Sequence, residues 1–371
     1  LLVGSESVSP LKKGDLIYVR KNNNEPWALS QLPAAEGAVV SIDSDTGAIH
    51  ALVGGYNFYR NKFNHVTQAK RQPGSSFKPF IYSAALERGF TPGTIIDDAP
   101  FEIDESQTGF KHWDPQNYDG EFAGPISLRY ALAKSKNLVA IRILQAITPN
   151  YARNFLSRFG FNPKHHPPYL TMALGAGSTT PLEMARGYAV FANGGYLVEP
   201  HFITRIEDIE GNLLFKPKPQ QAKTTSDRMI NERNVFTMNS LLRGVIQNGT
   251  GIRAKSLGRK DLAGKTGTTN DNIDAWFAGF QRRIVAITWV GKDQPEPLGD
   301  KETGSKAALP IWIDYMEVAL KGIPEETPPN PPEGIRSVMI NPKTGLPTDN
   351  DGVLEYFYDE NAPSKNSGMF F

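Results

Sequence analysis

The order in which strand-like and helix-like patterning alternates along the 371 residues constrains the fold most. Near the start, Ala38-Val39-Val40-Ser41-Ile42 and Ala48-Ile49-His50-Ala51-Leu52-Val53 flank the turn Asp43-Ser44-Asp45-Thr46-Gly47, and Gly54-Gly55 stops the second run. This is the pattern of a β-hairpin. Far downstream, strands return over 275–280 and 283–290, where Ile284, Val285, Ala286, Ile287 and Val290 form a largely apolar run. Between them, apolar residues three or four apart predict helices over 75–88, 126–134, 137–147, 151–159, 181–193 and 231–247, interrupted by a second hairpin over 202–215 around Glu210-Gly211-Asn212. A last helix is expected over about 307–320. Strands at both ends of a helical middle predict an α+β fold, in which an antiparallel sheet closes by bringing its two ends together and a helical subdomain is inserted between them.

Outside this main domain, taken as residues 36–322, the pattern weakens. Residues 1–35 carry two short strand-like pieces at 16–19 and 27–29, too little for a core of their own. Residues 324–332 read as a Pro/Glu linker, and the segment 323–371 as linker and irregular appendage. No run approaches 18 consecutive apolar residues. The absence of cysteine excludes thiol nucleophiles, disulfides and cysteine-ligated metals. A net charge of +1, from 40 basic and 39 acidic residues, offers no broad footprint for nucleic acid.

Three short motifs occur in order: Ser75-Ser76-Phe77-Lys78, Ser135-Lys136-Asn137 and Lys265-Thr266-Gly267. Together they follow the Ser-x-x-Lys, Ser-Asp-Asn and Lys-Thr-Gly set of serine acyl-transfer enzymes, with Lys136 standing where the second triplet has Asp. Each alone is weak, since Ser-x-x-Lys arises by chance on the order of once in a chain this long. The chain contains a decoy of each: Ser9 with Lys12, Ser364-Lys365-Asn366 and Lys343-Thr344-Gly345. Context arbitrates between them. A serine nucleophile needs an amine within reach, and positions i and i+3 on a helix supply one. Ser75 follows the breaker Pro73-Gly74 and opens the stripe Phe77, Phe80, Ile81, Ala84, Ala85, Leu86, whereas Ser9 is followed by Pro10 and Gly14 without a stripe. Lys265-Thr266-Gly267-Thr268-Thr269 stands just before the strands at 275–290, where a terminal strand can present main-chain groups to an extended peptide; its decoy lies between Pro342 and Pro347. Ser135 and Asn137 lie in a break between two helices, a place that an ordinary N-cap also explains.

Other chemistries fit less well. Gly264-Lys265-Thr266 ends like a phosphate-binding loop, but five residues separate Gly258 from Gly264 where that loop needs four. His165-His166 is hemmed by Pro163, Pro167 and Pro168 with no carboxylate at ligand spacing, so packing or surface roles are expected for the histidines.

With their flanks, Gln72-Pro73-Gly74-Ser75-Ser76-Phe77-Lys78-Pro79-Phe80, Lys134-Ser135-Lys136-Asn137-Leu138, Thr180-Pro181-Leu182-Glu183-Met184-Ala185, Phe191-Ala192-Asn193-Gly194-Gly195 and Ala263-Gly264-Lys265-Thr266-Gly267-Thr268-Thr269 resemble the transpeptidase module of class A penicillin-binding proteins, most of all the Gram-negative 1a-type members. The resemblance covers roughly residues 36–320. It implies the penicillin-binding/serine β-lactamase-like fold, with residues 1–35 as linker and remnant of a small β domain. It also implies a longer enzyme, with a membrane anchor and a glycosyltransferase module beyond these residues, acting on the periplasmic face of the inner membrane. The implied activity is D,D-transpeptidation of peptidoglycan stem peptides through a serine acyl-enzyme that β-lactams block. A D,D-carboxypeptidase and a non-catalytic β-lactam sensor are the alternatives. Implied partners are stem peptides, β-lactams, and activators from the outer membrane or from the division and elongation machinery; no cofactor or metal is implied.

By the same resemblance, Ser75 is the nucleophile and Lys78 its base, Ser135 relays the proton, and Asn137 orients Lys78 and the peptide. Lys265, Thr266, Gly267 and Thr268 form the wall that binds the substrate's carboxylate. Apart from the resemblance, Trp113 and Tyr118 in the Pro/Asn/Gly-rich loop 112–124 either line the cleft, the expectation adopted, or pack beneath it. For Lys78 to act as a base near neutral pH, its pKa must fall by roughly 3 units, about 4 kcal/mol, and burial next to Lys265 can supply that. Glu183 lacks the Asn neighbour of the β-lactamase deacylating loop, so slow hydrolysis of a bound β-lactam is expected.

Overall fold

The computed structural model describes residues 11–21, 26–103, 106, 108, 113–217, 221–224 and 227–364. Ser9, His112, Lys365 and Asn366 lie outside the described residues. Strands β1 (Tyr18–Arg20) and β2 (Ala28–Ser30) pair with each other and are largely exposed.

The expected closure of the two chain ends is what the central sheet shows. It is built from β3 (Glu36–Asp43) and β4 (Ile49–Val53) on one side and, from the far end of the chain, β9 (Ala263–Thr268), β10 (Ala275–Gln281) and β11 (Ile284–Gly291). The order is β4-β3-β11-β10-β9, antiparallel throughout, with Ile287 opposite Val40 and Ala278 opposite Lys265. Because side chains alternate along a strand, the apolar run of β11 serves two cores. Val285, Ile287 and Trp289 face the large core with Trp276, Ala278 and Phe280, whereas Ile284 and Ala286 face a smaller one with Phe277 and Trp312.

The large core holds the helices. A 3-10 turn, Gly74–Phe77, runs into α1 (Lys78–Leu86), whose nine residues are all buried. Pro79 stands at its first turn, where a missing N–H costs no helical bond. Around α1 lie α2 (Leu128–Lys134), α3 (Asn137–Ile147), α4 (Pro149–Phe155), α5 (Pro181–Ala192) and α6 (Glu232–Asn248). The small core is closed by α7 (Leu309–Ala319), entered through a π-helical turn, Gly304–Ala308.

Several boundaries differ from the sequence expectation. Residues 126 and 127, expected to open the helix over 126–134, instead end β6 (Gly124–Ser127), paired with the unanticipated β5 (Ile95–Asp98), and Ser127 then caps α2 by accepting from the Tyr130 N–H. The helix expected over 151–159 ends at Phe155 and tightens into a 3-10 turn, Leu156–Phe159, stopped by Gly160 at φ +82°. The second hairpin is reduced to β7 (Ile206–Glu207) and β8 (Leu213–Phe215). The tail is not irregular, since β12 (Ile335–Ile340) and β13 (Val353–Tyr358) form a hairpin that buries Ile340, Glu355, Phe357 and Tyr358. The decoy Lys343-Thr344-Gly345 sits in its turn, where the Gly345 and Lys343 N–H groups bond to Asn341.

Candidate active site

The first wall of the site is the 3-10 turn that carries Ser75. It is braced on three sides: Ser76 Oγ donates to the Pro73 carbonyl at 2.6 Å, the Tyr188 hydroxyl of α5 donates to the Ser76 carbonyl at 2.7 Å, and Trp276 Nε1 of β10 donates to the Gln72 carbonyl at 2.9 Å. Two glycines let this turn press against the edge strand β9. A Cβ on Gly74, whose φ is +54°, would sit 2.5 Å from the Thr268 carbonyl oxygen, and one on Gly267 would sit 2.4 Å from that of Pro73. Both distances are below any tolerable contact, so backbone meets backbone only because side chains are missing. The braced turn leaves Ser75 half-buried and lining a cleft of about 1200 Å³.

The second wall is the junction between α2 and α3. Ser135 closes α2 in the left-handed conformation, φ +61°, a strained geometry for a residue with a Cβ. That bend turns the junction toward Lys78. The fully buried Lys78 Nζ donates to the Ser135 carbonyl at 2.6 Å, Asn137 Oδ1 at 2.8 Å and the Lys136 carbonyl at 3.1 Å, and lies 3.4 Å from Ser135 Oγ. From the opposite side Lys265 Nζ, also fully buried, donates to Ser135 Oγ at 2.8 Å and to the Thr266 carbonyl at 3.1 Å. The Ser135 hydroxyl is therefore flanked by two lysines. Burial holds Lys78 well below the ordinary lysine range, and the nearby Lys265 charge lowers it further while Asp98 opposes. Burial alone brings Lys265 down to about 7.

The expected residues thus assemble, with differences in depth. Ser75, Trp113, Ser135, Asn137, Thr266 and Thr268 line the cleft; Lys78 and Lys265 lie behind its surface, and Gly267 acts as the point of close approach. Thr266 Oγ1 shares a 2.6 Å hydrogen bond with Thr250 Oγ1, a cleft residue that follows α6 and that no motif marks. Trp113 lines the cleft while also packing on the large core, and Tyr118 reaches across to Asn272 Oδ1 at 3.3 Å.

With the geometry in place, comparison with known proteins decides the family. A profile of the penicillin binding protein transpeptidase domain matches residues 37–317. The chain belongs to the penicillin-binding protein transpeptidase family. It is 48% identical to penicillin-binding protein 1A of Neisseria lactamica over 314 residues, 85% of this chain and 39% of the relative, and 42% identical to that of Pseudomonas aeruginosa over 398 residues, 94% and 48%. It therefore spans less than half the length of these relatives. Among solved structures, penicillin-binding protein 1A of Haemophilus influenzae superposes with a TM-score of 0.91 at 40% identity, covering 96% of this chain and 58% of that one. PonA1 of Mycobacterium tuberculosis in complex with penicillin V gives 0.70 at 31%, covering 82% of each.

Within this transpeptidase domain, Glu183 is a capping residue. It completes a capping box at the start of α5, accepting from the Thr180 N–H at 2.7 Å, and pairs with Lys70 at 2.7 Å. His166 is buried, stacks on Phe77 and is pushed down to about 4, with burial as the leading cause, so it packs as a neutral ring. No helix among the described residues is long and apolar enough to cross a membrane.

Proposed function

We propose that this domain is a peptidoglycan D,D-transpeptidase working through a Ser75 acyl-enzyme, and that β-lactams block it by acylating the same oxygen. The observation that carries the reading is the Ser135 hydroxyl held between Lys78 and Lys265, in the cleft that the half-buried Ser75 of the braced turn also lines. A neutral amine has two N–H donors and one lone pair. Lys78 Nζ faces three acceptors, so the neutral form keeps its two shortest contacts, to the Ser135 carbonyl and Asn137 Oδ1, and gives up the third, to the Lys136 carbonyl at 3.1 Å, which frees the lone pair to take the Ser75 proton.

Ser75 Oγ attacks the carbonyl between the two terminal D-alanines, and the ester bond forms as the C–N bond breaks. The proton taken by Lys78 passes through the Ser135 hydroxyl to the leaving D-alanine amine, with Lys265 holding that hydroxyl in line. An amine of a second stem then attacks the ester, restoring Ser75 and forming the cross-link. The backbone N–H groups of Ser75 and Thr268 serve as the oxyanion hole, a role that suits the close approach of β9 to the turn. Because Lys265 is enclosed, direct contact with the substrate carboxylate falls to the Thr266 and Thr268 hydroxyls, which line the cleft. The periplasmic location, the anchor and any activating partners belong to the same proposal for the longer protein.

Intact-mass spectrometry after incubation with benzylpenicillin tests the nucleophile: a one-to-one adduct is expected on the wild type and none on Ser75→Ala. The same adduct on both would overturn the assignment. Product analysis with paired stem peptides separates cross-linked dimer, expected here, from the free tetrapeptide of a carboxypeptidase and from the unchanged substrate of a sensor.

A further inference from the structure

The buried carboxylate of Asp98, at the end of β5, belongs to none of the three motifs, yet it stands behind the second of them. Its two oxygens accept from Asn117 Nδ2 at 2.8 and 3.0 Å, and Oδ2 also accepts from the Ala123 N–H at 3.0 Å and lies 3.4 Å from Lys136 Nζ. Asn117 passes the connection on. Its Oδ1 accepts the N–H of Asn137 at 2.7 Å, and more weakly that of Leu138 at 3.4 Å, while its Nδ2 also bonds to the Glu121 carbonyl at 2.8 Å.

The N-terminus of α3 is therefore capped from another segment of the chain. Its own N-cap, Lys136, makes no capping hydrogen bond with its side chain. A side chain twenty positions upstream takes over that task, and the residue it caps is the one whose Oδ1 holds Lys78. The Asn137 Nδ2 adds a bond to the Gln116 carbonyl at 2.8 Å, so the same loop fixes both ends of the Asn137 side chain's attachment. Lys136 closes the ring by donating to Asp119 at 3.0 Å and to the Glu121 carbonyl at 3.0 Å.

We infer that Asp98 and Asn117 are positioning residues for acyl transfer: Asp98 fixes the Asn117 amide, Asn117 fixes the start of α3, and that fixes the Asn137 oxygen against the base. The inference rests on the function proposed above for Ser75 and Lys78. The polarity of the chain makes it specific. Asp98 accepts only, so Asn117 must present Nδ2 to it and Oδ1 to the Asn137 N–H. Asp98→Asn keeps one acceptor, which the Ala123 N–H and Lys136 hold at the Oδ2 position, so its NH2 falls at the Oδ1 position against Asn117 Nδ2; donor then faces donor, and a flip of the Asn117 amide would turn its NH2 toward the Asn137 N–H. Exchanging the two residues, Asp98→Asn with Asn117→Asp, restores donor-to-acceptor order at both steps, at the cost of the Asp98 charge beside Lys136 and of the donor that faced the Glu121 carbonyl.

The test measures benzylpenicillin acylation rates and amide hydrogen exchange at 137 and 138 on the same proteins. Asp98→Asn is expected to slow acylation at least about tenfold, since small displacements of a catalytic array are amplified in rate. It is also expected to speed exchange at 137 and 138, with the middle of α3 unchanged. The exchanged pair should recover a large part of both. Asn117→Ala gives the same two readouts if Asp98→Asn does not fold, and general loss of stability alone would not be rescued by the exchange. Wild-type acylation and exchange in both single variants, or an exchanged pair no better than Asp98→Asn, overturns the inference. If the wild type takes no adduct, the proposed function fails instead, and exchange at 137 and 138 still decides whether Asp98 positions α3.

Discussion

Lys78 and Lys265 are two fully buried amines that bracket one hydroxyl. Burial without a carboxylate in direct contact favours the neutral amine, so the fold stabilises the protonation state that a base requires. The cost appears as pH-dependent stability. For Lys265 the folded-state value, about 7, lies below that of an unfolded lysine, so between the two the unfolded chain binds more protons and stability rises with pH. Lys265→Met should therefore be more stable than the wild type at pH 7, by up to roughly 4 kcal/mol before its lost hydrogen bonds are counted, with the advantage shrinking as pH rises toward 10.5. Urea denaturation at a series of pH values checks this; a pH-independent difference would contradict it. For Lys78 the expected sign in kinetics is parallel: acylation slows as pH falls and the amine becomes charged, about tenfold per unit below its pKa, readable in stopped-flow acylation. Both lysines were legible in the sequence, because their motifs place them, and the downward shift of Lys78 follows from burial first and from the neighbouring Lys265 charge second. That Lys265 is enclosed was not legible, since depth behind a cleft depends on what the other segments cover.

At the scale of elements, the site is a meeting of one tight turn, one edge strand and one bent helix junction. The turn and the strand meet through Gly74 and Gly267, so Gly267→Ala drives a methyl group into the Pro73 carbonyl and Ser76. The expected result is a folded protein with acylation slowed by about a hundredfold, because a shift of around 1 Å between Ser75 and β9 spoils alignment. Wild-type kinetics in that variant would show that the backbones can separate freely. The sequence marked Gly267 as part of a binding triplet; its steric reason became visible only with Pro73 placed opposite. The bent junction tells the same story. Helical periodicity located the break between α2 and α3, but the left-handed Ser135 carries no local signal, and Asn117 caps α3 from a loop whose composition says only that it is a loop. Local patterning reports elements well and reports contacts between loops and helix ends poorly, because the latter are set by tertiary approach.

Across the whole molecule, the tail is tied to the helices of the large core by an ion pair whose carboxylate is buried. Glu355 of β13 is 1% exposed and accepts from both Nε and an Nη of Arg129 on α2, whose other contacts reach Ser240 of α6. Glu355→Ala leaves a partly exposed guanidinium that keeps its bonds to Ser240 and should cost about 1–3 kcal/mol, whereas Arg129→Met with Glu355→Leu should recover most of it. Equilibrium denaturation of the three proteins decides the point, and equal losses in single and double variants would refute it. The hairpin escaped notice in the sequence because Val353, Leu354, Tyr356 and Phe357 do not alternate cleanly, and its partner surface is assembled from helices far upstream. Distance along the chain also governs the central sheet. Asp43 pairs with Ile284, 241 positions later, so the inner edge of β3 has no partner until nearly the entire domain has been made. At about 5–20 residues per second, that edge stays open for roughly 12 to 48 seconds of synthesis. During that interval Val40 and Ile42 belong to an apolar ribbon able to pair with any other unfilled strand. Crowding of nascent chains, rather than any weakness of the finished fold, is then the moment at which this molecule is most exposed to misassembly.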